Sequence, residues 1–200
     1  MPGKQAPLRH RQLYWKKHPL LRETAVRAMQ EQETEIIDAV CRRAVHMREE
    51  GAATEDILNS LVAAAEYISA PGAVSSILVL DGDGLLRNGA SPNLPSDYLK
   101  AIDRLRPSPN VGTCAAAAAT GCVVITPDFH ADEKWAELRH LPLALGFVSA
   151  WSMPIKSSNG DVLGTFGTYF RESRQPTKNE LEAVQRLAVA AARTLEPAVC

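Results

Sequence analysis

No C-x-x-C pair occurs among the four cysteines, Cys41, Cys114, Cys122 and Cys200, and no Cys/His spacing fits a structural zinc site. An export signal is missing too. The apolar triplet Leu13–Tyr14–Trp15 runs at once into Lys16 and Lys17, where a secretory signal needs an apolar core of about 7–15 residues. Both absences point to free thiols in a reducing cytoplasm. The longest uncharged stretch, residues 107–127, is broken by Pro109, Gly112 and Gly121, so it cannot be the single helix of roughly 20 residues that a bilayer requires. Net charge is nearly absent as well, at −1, which argues against a generally basic nucleic-acid binder. There is no internal repeat, and the only low-complexity run is five alanines, Ala115–Ala119.

What is present is an ordinary folding composition, 46% hydrophobic and 22% charged, in 200 residues. That length allows one domain with some surplus, burying roughly 70% of the surface of the unfolded chain. The small net charge conceals an asymmetry. Residues 1–22 carry six bases (Lys4, Arg9, Arg11, Lys16, Lys17, Arg22) and no acid, leaving 16 bases and 23 acids for the rest, a net of −7. The chain therefore divides into a basic N-terminal arm, 1–22, a long amphipathic helix, 23–51, and an acidic body, 52–200.

In the helix, Val26, Met29, Ile36, Ile37, Val40, Ala44 and Met47 keep helical spacing, and Gly51 stops it. Thr54 is a candidate N-cap for a second helix with Ile57, Leu58, Leu61, Val62, Ala65 and Ile68 on one face. Val74–Leu80 and about 85–90 read as a hairpin around Asp81–Gly82–Asp83–Gly84. Ser96 caps a short helix to about Asp103, and Thr113–Thr120 is a small-residue helix stopped by Gly121. Cys122–Thr126 reads as a short buried strand, and Lys134–Leu145 as a helix interrupted by Pro142. Val148–Ile155 and Val162–Phe170 form a second hairpin through Asn159–Gly160, and Thr177 with Glu180 makes a capping box for a last helix. The order α-α-β-β-α-α-β-α-β-β-α predicts an α/β (α+β) fold. It has a mainly antiparallel sheet, terminal helices on one face and short helices leaving a cavity on the other.

Four segments in order resemble one family. These are Ala90–Tyr98; Val111-Gly-Thr-Cys-Ala-Ala-Ala116 with Gly121 and Asp128; Gly146-Phe-Val-Ser-Ala-Trp-Ser-Met-Pro-Ile155; and Gly160-Asp-Val-Leu-Gly-Thr-Phe-Gly-Thr-Tyr-Phe170, followed by Arg174-Gln-Pro-Thr177. Together they resemble the GAF domain over about residues 52–196, and most closely the GAF domains of bacterial two-component and cyclic-di-GMP signalling proteins. One departure is Ala115, where the family has a glycine after the cysteine; the extra methyl narrows the helix start. The resemblance implies a small-molecule sensor with its ligand between the sheet and the short middle helices. Family members take varied ligands, so the cofactor is unknown from sequence.

The candidate ligand-binding residues are Thr113, Cys114, Ala115, Trp135, Trp151, Met153 and Tyr169. Thr113–Cys114 begins the alanine helix, where free N–H groups and the dipole suit a small anion. A thiol there could be reactive. Trp151, Met153 and Tyr169 lie on the last two strands. By the period of two, either Trp151 with Met153 or Ser152 with Pro154 faces the pocket, and Trp151 would offer an indole N–H. An anion such as nitrate, held between the helix start and the Trp/Tyr-bearing sheet, is a specific expectation. Asp128, His130, Asp132 and Glu133 form an acidic cluster that reads mainly as loop caps, so no metal site is expected, and Arg171 and Arg174 read mainly as solvated loop residues.

The leading functional expectation is a non-enzymatic sensor acting in trans on a separate output protein, such as a sensor kinase. No output segment follows Glu196, and the terminal helices supply a homodimer interface. Two alternatives differ in class. Free methionine-sulfoxide reductase shares the fold and resembles this chain at Cys114, but its chemistry needs a second cysteine and residues 128–150 have none. A haem- or iron-based gas sensor would have to use His130 or His140. The cyclic-nucleotide signature N-K-x-x-x-F-D-E is not recognisable, and the Cys-His pair of covalent bilin attachment is absent. Neither a membrane nor nucleic acid is expected as a partner.

Overall fold

The computed structural model describes residues 19–197. The chain divides into two units, one ending at Ile36 and the other beginning at Ile37. The first helix, α1 (Pro19–Glu49), crosses that boundary. It starts four residues before the predicted one, with Pro19 at the first helical position, where a missing N–H costs nothing. Residues 19–22 of the predicted basic arm are thus helical, and residues 1–18 lie outside the described residues. In the first unit Leu20, Leu21, Val26 and Met29 are exposed. In the second, Ile37 and Ala44 are buried.

Helix α2 (Thr54–Ile68) begins at the residue predicted as its cap, one position earlier than expected. Ala53 is the N-cap, its carbonyl accepting the Asp56 and Ile57 N–H groups, and Thr54 is the first helical residue. The same correction applies to α3 (Ser96–Ala101). There Pro95 is the N-cap and its carbonyl takes the Leu99 N–H, and the helix ends two residues short of Asp103. Helix α4 (Thr113–Thr120) ends as predicted on Gly121, which holds φ 62° at the C-cap.

Five strands, β1 (Val74–Leu80), β2 (Leu86–Ala90), β3 (Val124–Thr126), β4 (Ser149–Lys156) and β5 (Val162–Phe170), form one sheet in the order β2-β1-β5-β4-β3. Every neighbouring pair is antiparallel. The two hairpins thus join through β1 and β5, which puts the N-terminal and C-terminal halves of the body side by side. The short strand β3 is an edge and begins two residues later than expected. Cys122, expected in a buried strand, is exposed where the chain leaves the α4 cap.

Segment 134–145 is not one interrupted helix. A 3₁₀ turn, Glu133–Trp135, precedes α5 (His140–Ala144), and Pro142 sits within the first turn of α5, where no intrahelical N–H is needed. The last helix, α6 (Lys178–Leu195), carries the predicted capping box: Thr177 Oγ1 accepts the Glu180 N–H and the Glu180 carboxylate accepts the Thr177 N–H. Arg174 adds an ion pair to Glu180 at 2.5 Å and lies over the Phe170 ring. Among the described residues no helix is long and apolar enough to cross a membrane.

The body has two cores, one on each sheet face. The helix-side core joins Ile37 and Ala44 of α1, Ile57, Leu58 and Leu61 of α2, and Val184, Leu187 and Ala191 of α6 to Ile77, Trp151, Met153, Ile155, Phe166 and Phe170 of the sheet. A fully buried side chain of this size contributes about 1.5–3 kcal/mol, so this face supplies much of the driving force. The opposite core joins Leu78, Leu86, Ala150 and Tyr169 to Tyr98 of α3, Cys114 and Ala115 of α4, and Phe129, Trp135 and Phe147.

Candidate functional site

The alanine run explains how α4 reaches the sheet. Ala115, Ala116 and Ala117 are buried and carry only a methyl group, so the helix backbone lies close to β4 and β5. The closest approach is at Gly167 of β5. A Cβ built there would lie 2.9 Å from Cys114 Sγ and 3.3 Å from Ser76 Oγ, so the position admits no side chain.

Sheet register then determines what surrounds the thiol. Gly167 is opposite Ser76 on β1 and Ser152 on β4, a Ser–Gly–Ser row across three strands. Two residues away along β5, on the same face, lie Thr165 and Tyr169. Four hydroxyl groups thus ring Gly167 beneath Cys114. Ser76, Ser152 and Thr165 are fully buried; the Ser152 and Thr165 hydroxyls meet only the weakly bonding Cys114 thiol, and the Ser76 hydroxyl finds no hydrogen-bond partner among the described residues. The Tyr169 hydroxyl accepts from Tyr98 at 3.1 Å, the two rings meeting edge to face. Burial pushes the Cys114 thiol above its ordinary pKa, opposed by the neighbouring hydroxyls of Ser152, Thr165 and Tyr169. Burial likewise raises Tyr98 and Tyr169. Every group in the ring is therefore neutral at physiological pH, and burial raises the pKa of the thiol that its place at the helix start was expected to make reactive.

At the start of α4, Thr113 belongs to a closed hydrogen-bond circuit. Its Oγ1 accepts the Trp135 indole N–H at 3.0 Å and donates to Thr126 Oγ1 at 3.4 Å. Thr126 donates to Asp132 Oδ2 at 2.8 Å, and Asp132 Oδ1 accepts from both the backbone N–H and Nζ of Lys134. The Lys134 carbonyl closes the circuit by accepting the Gly112 N–H at 2.7 Å. Partial burial would raise the Asp132 carboxyl, but the bonds from Lys134 and Thr126 outweigh it and leave its pKa below the usual value.

These contacts sort the predicted residues. Cys114, Ala115, Thr113, Trp135 and Tyr169 all lie on the face covered by α4. Of these, Thr113 and Trp135 have their polar atoms engaged with each other and with Thr126. Trp151 and Met153 are on the other face, in the core beneath the terminal helices, because Ala150 rather than Trp151 pairs with Tyr169. The Trp151 indole N–H is buried there with no partner among the described residues. Of the Trp/Tyr-bearing sheet that motivated a nitrate site, Tyr169 is on the α4 face and Trp151 is not. No motif in the sequence marks Ser76, Thr165 or Tyr98 as site residues, and the period of two leaves Ser152 as the alternative to Trp151. The usable signal was the alternation Thr165-Phe166-Gly167-Thr168-Tyr169-Phe170, which sends both phenylalanines to one face.

The acidic cluster resolves into local bonds. Asp128 accepts the His130 N–H, Asp132 serves the circuit, and His130 and His140 are exposed. Among the described residues no group of three or more His, Cys, Asp or Glu side chains is placed to hold a metal ion. Arg171 lies over the Phe147 ring and donates to the Leu145 carbonyl.

A GAF domain model matches residues 51–196. The methyl sulfide methyltransferase-associated sensor of Methanosarcina acetivorans is 37% identical over 147 residues, which are 73% of this chain and 15% of that much longer protein. Among solved structures, the GAF domain of a phosphoenolpyruvate-protein phosphotransferase from Coxiella burnetii superposes with a TM-score of 0.65 at 18% identity, covering 82% of this chain and 93% of that one. The fRMsr of Staphylococcus aureus, in its reduced form, superposes with a TM-score of 0.60 at 13% identity, covering 80% of this chain and 95% of that one. Shared fold, matched family model and identity to a sensor converge, and the chain belongs to the GAF domain family.

Proposed function

We propose that this chain is a ligand-sensing GAF module, non-enzymatic, that passes its signal to a separate protein. The observation that carries the proposal is the set of three buried hydroxyls under α4, of which Ser152 and Thr165 meet only the weakly bonding Cys114 thiol and Ser76 has no partner among the described residues. Buried polar groups without partners cost stability, and native cores hold few of them. Clustered on one sheet face under one helix, they suit a ligand that reaches them when α4 and its Cys114 thiol move off the sheet. The 37% identity to a protein named as a sensor supports the same reading.

A reductase reading has less support. Cys114 and Cys122 stand eight residues apart along and just beyond α4, about 12 Å by helical rise, too far to bridge without movement. Cys41 is elsewhere, its thiol directed at the Arg186 carbonyl of α6. Cys200 lies outside the described residues. The haem or iron reading also has less support, since His130 and His140 are exposed rather than turned into the α4 face. The dispersed thiols also suit a cytoplasmic protein.

For output, the exposed apolar residues Leu20, Leu21, Val26 and Met29 of α1 support a helical contact, either with a second copy or with a signalling protein such as a kinase. By contrast, the apolar stripes of α6 and of α1 beyond Ile36 are consumed by the domain's own core. Thermal-shift and calorimetric titration of the purified chain with small metabolites and ions, alongside its absorbance spectrum, tests the reading. A saturable melting shift that disappears when Ser152 and Thr165 are replaced supports it. A Soret band in the purified protein, or turnover of methionine sulfoxide, would replace it with one of the alternatives.

A further inference from the structure

We propose that the exposed stripe of α1 pairs with the same stripe of a second copy of the chain, the two helices running antiparallel. This pairing rests on the helical contact proposed above and gives it a partner and a direction; ligand binding by the body does not depend on it. Within residues 19–36, Arg22, Val26, Met29 and Glu33 lie along one face of α1, spaced four, three and four residues apart. Val26 is 40% and Met29 56% exposed, Arg22 is exposed, and Glu33 is partly so. Arg27, on a different face, is bound to Glu31 at 2.9 Å. Neither Arg22 nor Glu33 has an ionic partner among the described residues. The stripe is thus an apolar centre with an unpaired cation at one end and an unpaired anion at the other.

A spacing of four, three and four reads the same in both directions, and it is the alternation of the two seam positions of a coiled coil. Laid antiparallel about the midpoint between Val26 and Met29, two such stripes put Val26 against the partner's Met29 at the centre. Arg22 then meets the partner's Glu33 at each end. The flanking residues Glu23, Ala25, Gln30 and Gln32 bring no two like charges together in that arrangement. A parallel pair in register would instead oppose Arg22 to Arg22 and Glu33 to Glu33, which is destabilising at seam positions. Antiparallel helices also bring the opposite ends of their macrodipoles together. A stripe that complements itself on reversal is what a twofold contact between identical chains requires. A partner of one charge sign would satisfy one end of the stripe and be repelled by the other. The overlap over residues 19–36 is about 27 Å long by helical rise. With two apolar layers and two ion pairs it makes a small, reversible contact.

Sedimentation equilibrium of the full chain, over a concentration series under reducing conditions, tests the pairing. The variants are Arg22→Glu, Glu33→Arg and the double exchange that carries both. The wild-type chain is expected to dimerise with rising concentration. Each single variant places like charges at both ends of the antiparallel seam and should weaken self-association roughly tenfold. The double exchange restores opposite charges at both ends and should recover the wild-type association to within about twofold. That recovery also shows that neither substitution acts by unfolding the helix. In a parallel pair the single exchanges would replace one like-charged contact by another and change little. If the single variants associate as the wild type does, or the double exchange fails to recover, the antiparallel pairing is overturned. A wild-type chain that stays monomeric at every concentration overturns the second copy as partner and leaves the helical contact to a different protein, with the ligand titration still to decide the sensor reading.

Discussion

Cys114 and Gly167 fit against each other with no room for one more carbon, since a Cβ on the glycine would lie 2.9 Å from the thiol sulfur. Gly167→Ala should therefore force α4 away from β5 and destabilise the fold by about 2 kcal/mol, in the range of core overpacking. The two positions should couple. In a Cys114→Ala background most of the clash is removed and only Ser76 Oγ remains close, at 3.3 Å. Urea denaturation of the two single variants and the double variant should give a coupling of about 1 kcal/mol or more. Additive losses would show that α4 does not rest on this glycine.

Hydroxyls on the same sheet face should respond in opposite ways to removal. Ser152 and Thr165 hydroxyls are buried with only the weakly bonding Cys114 thiol beside them, so Ser152→Ala and Thr165→Val should each leave stability unchanged or raise it by about 1 kcal/mol. The Thr113 hydroxyl accepts the buried Trp135 indole N–H, so Thr113→Val leaves that donor unsatisfied and should cost about 1–3 kcal/mol. Midpoints of chemical denaturation separate the two cases. A loss at Ser152 as large as that at Thr113 would mean that the ring hydroxyls are satisfied in the unliganded protein.

Much of this fold is legible in residue spacing, and the limits of that legibility are physical. Helical and alternating periodicities locate the elements, and Gly121 and the Thr177–Glu180 pair mark ends through their own backbone chemistry. Boundaries at Ala53 and Pro95 slip because neither N-cap makes a side-chain hydrogen bond, so Thr54 and Ser96 enter the helix as its first residues and leave no capping signal in the sequence. The site is harder to read. Alternation along β4 separates Trp151 and Met153 from Ala150 and Ser152 but does not say which pair faces α4. That depends on register with β5, and the register puts Ala150 opposite Tyr169. The circuit from Trp135 through Thr113 and Thr126 to Asp132 has no local signature, because its members meet only when α4, β3 and the following loop are in place.

Asp132 gives the circuit a pH dependence. Its folded pKa lies below the ordinary carboxylate value of 3.8 despite partial burial, because Lys134 and Thr126 hold the ionised form. A depressed folded pKa means that the contribution is fully present above the unfolded value and is lost as pH falls through the folded one. Wild-type stability should therefore fall between about pH 5 and 3 more steeply than that of Asp132→Asn, which is already weakened at neutral pH. The difference between the two denaturation free energies, followed across that range, isolates Asp132 from other carboxylates. Parallel curves would show that the Asp132–Lys134 contact is screened by solvent and does not anchor the start of α4.

The described thiols should differ sharply in reactivity. Cys122 is exposed beyond the α4 cap, Cys41 is half-buried with its thiol on the Arg186 carbonyl, and Cys114 is buried on Gly167. Burial raises the pKa of both Cys41 and Cys114, so each is mostly thiol at neutral pH, the less reactive form. Timed iodoacetamide labelling read by peptide mass spectrometry should find Cys122 modified first, Cys41 later, and Cys114 only at the rate at which α4 opens or the domain unfolds. Adding denaturant below the midpoint should accelerate Cys114 strongly and Cys122 little. Early modification of Cys114 in the folded protein would show its thiol to be accessible and activated, and would return the redox reading to first place.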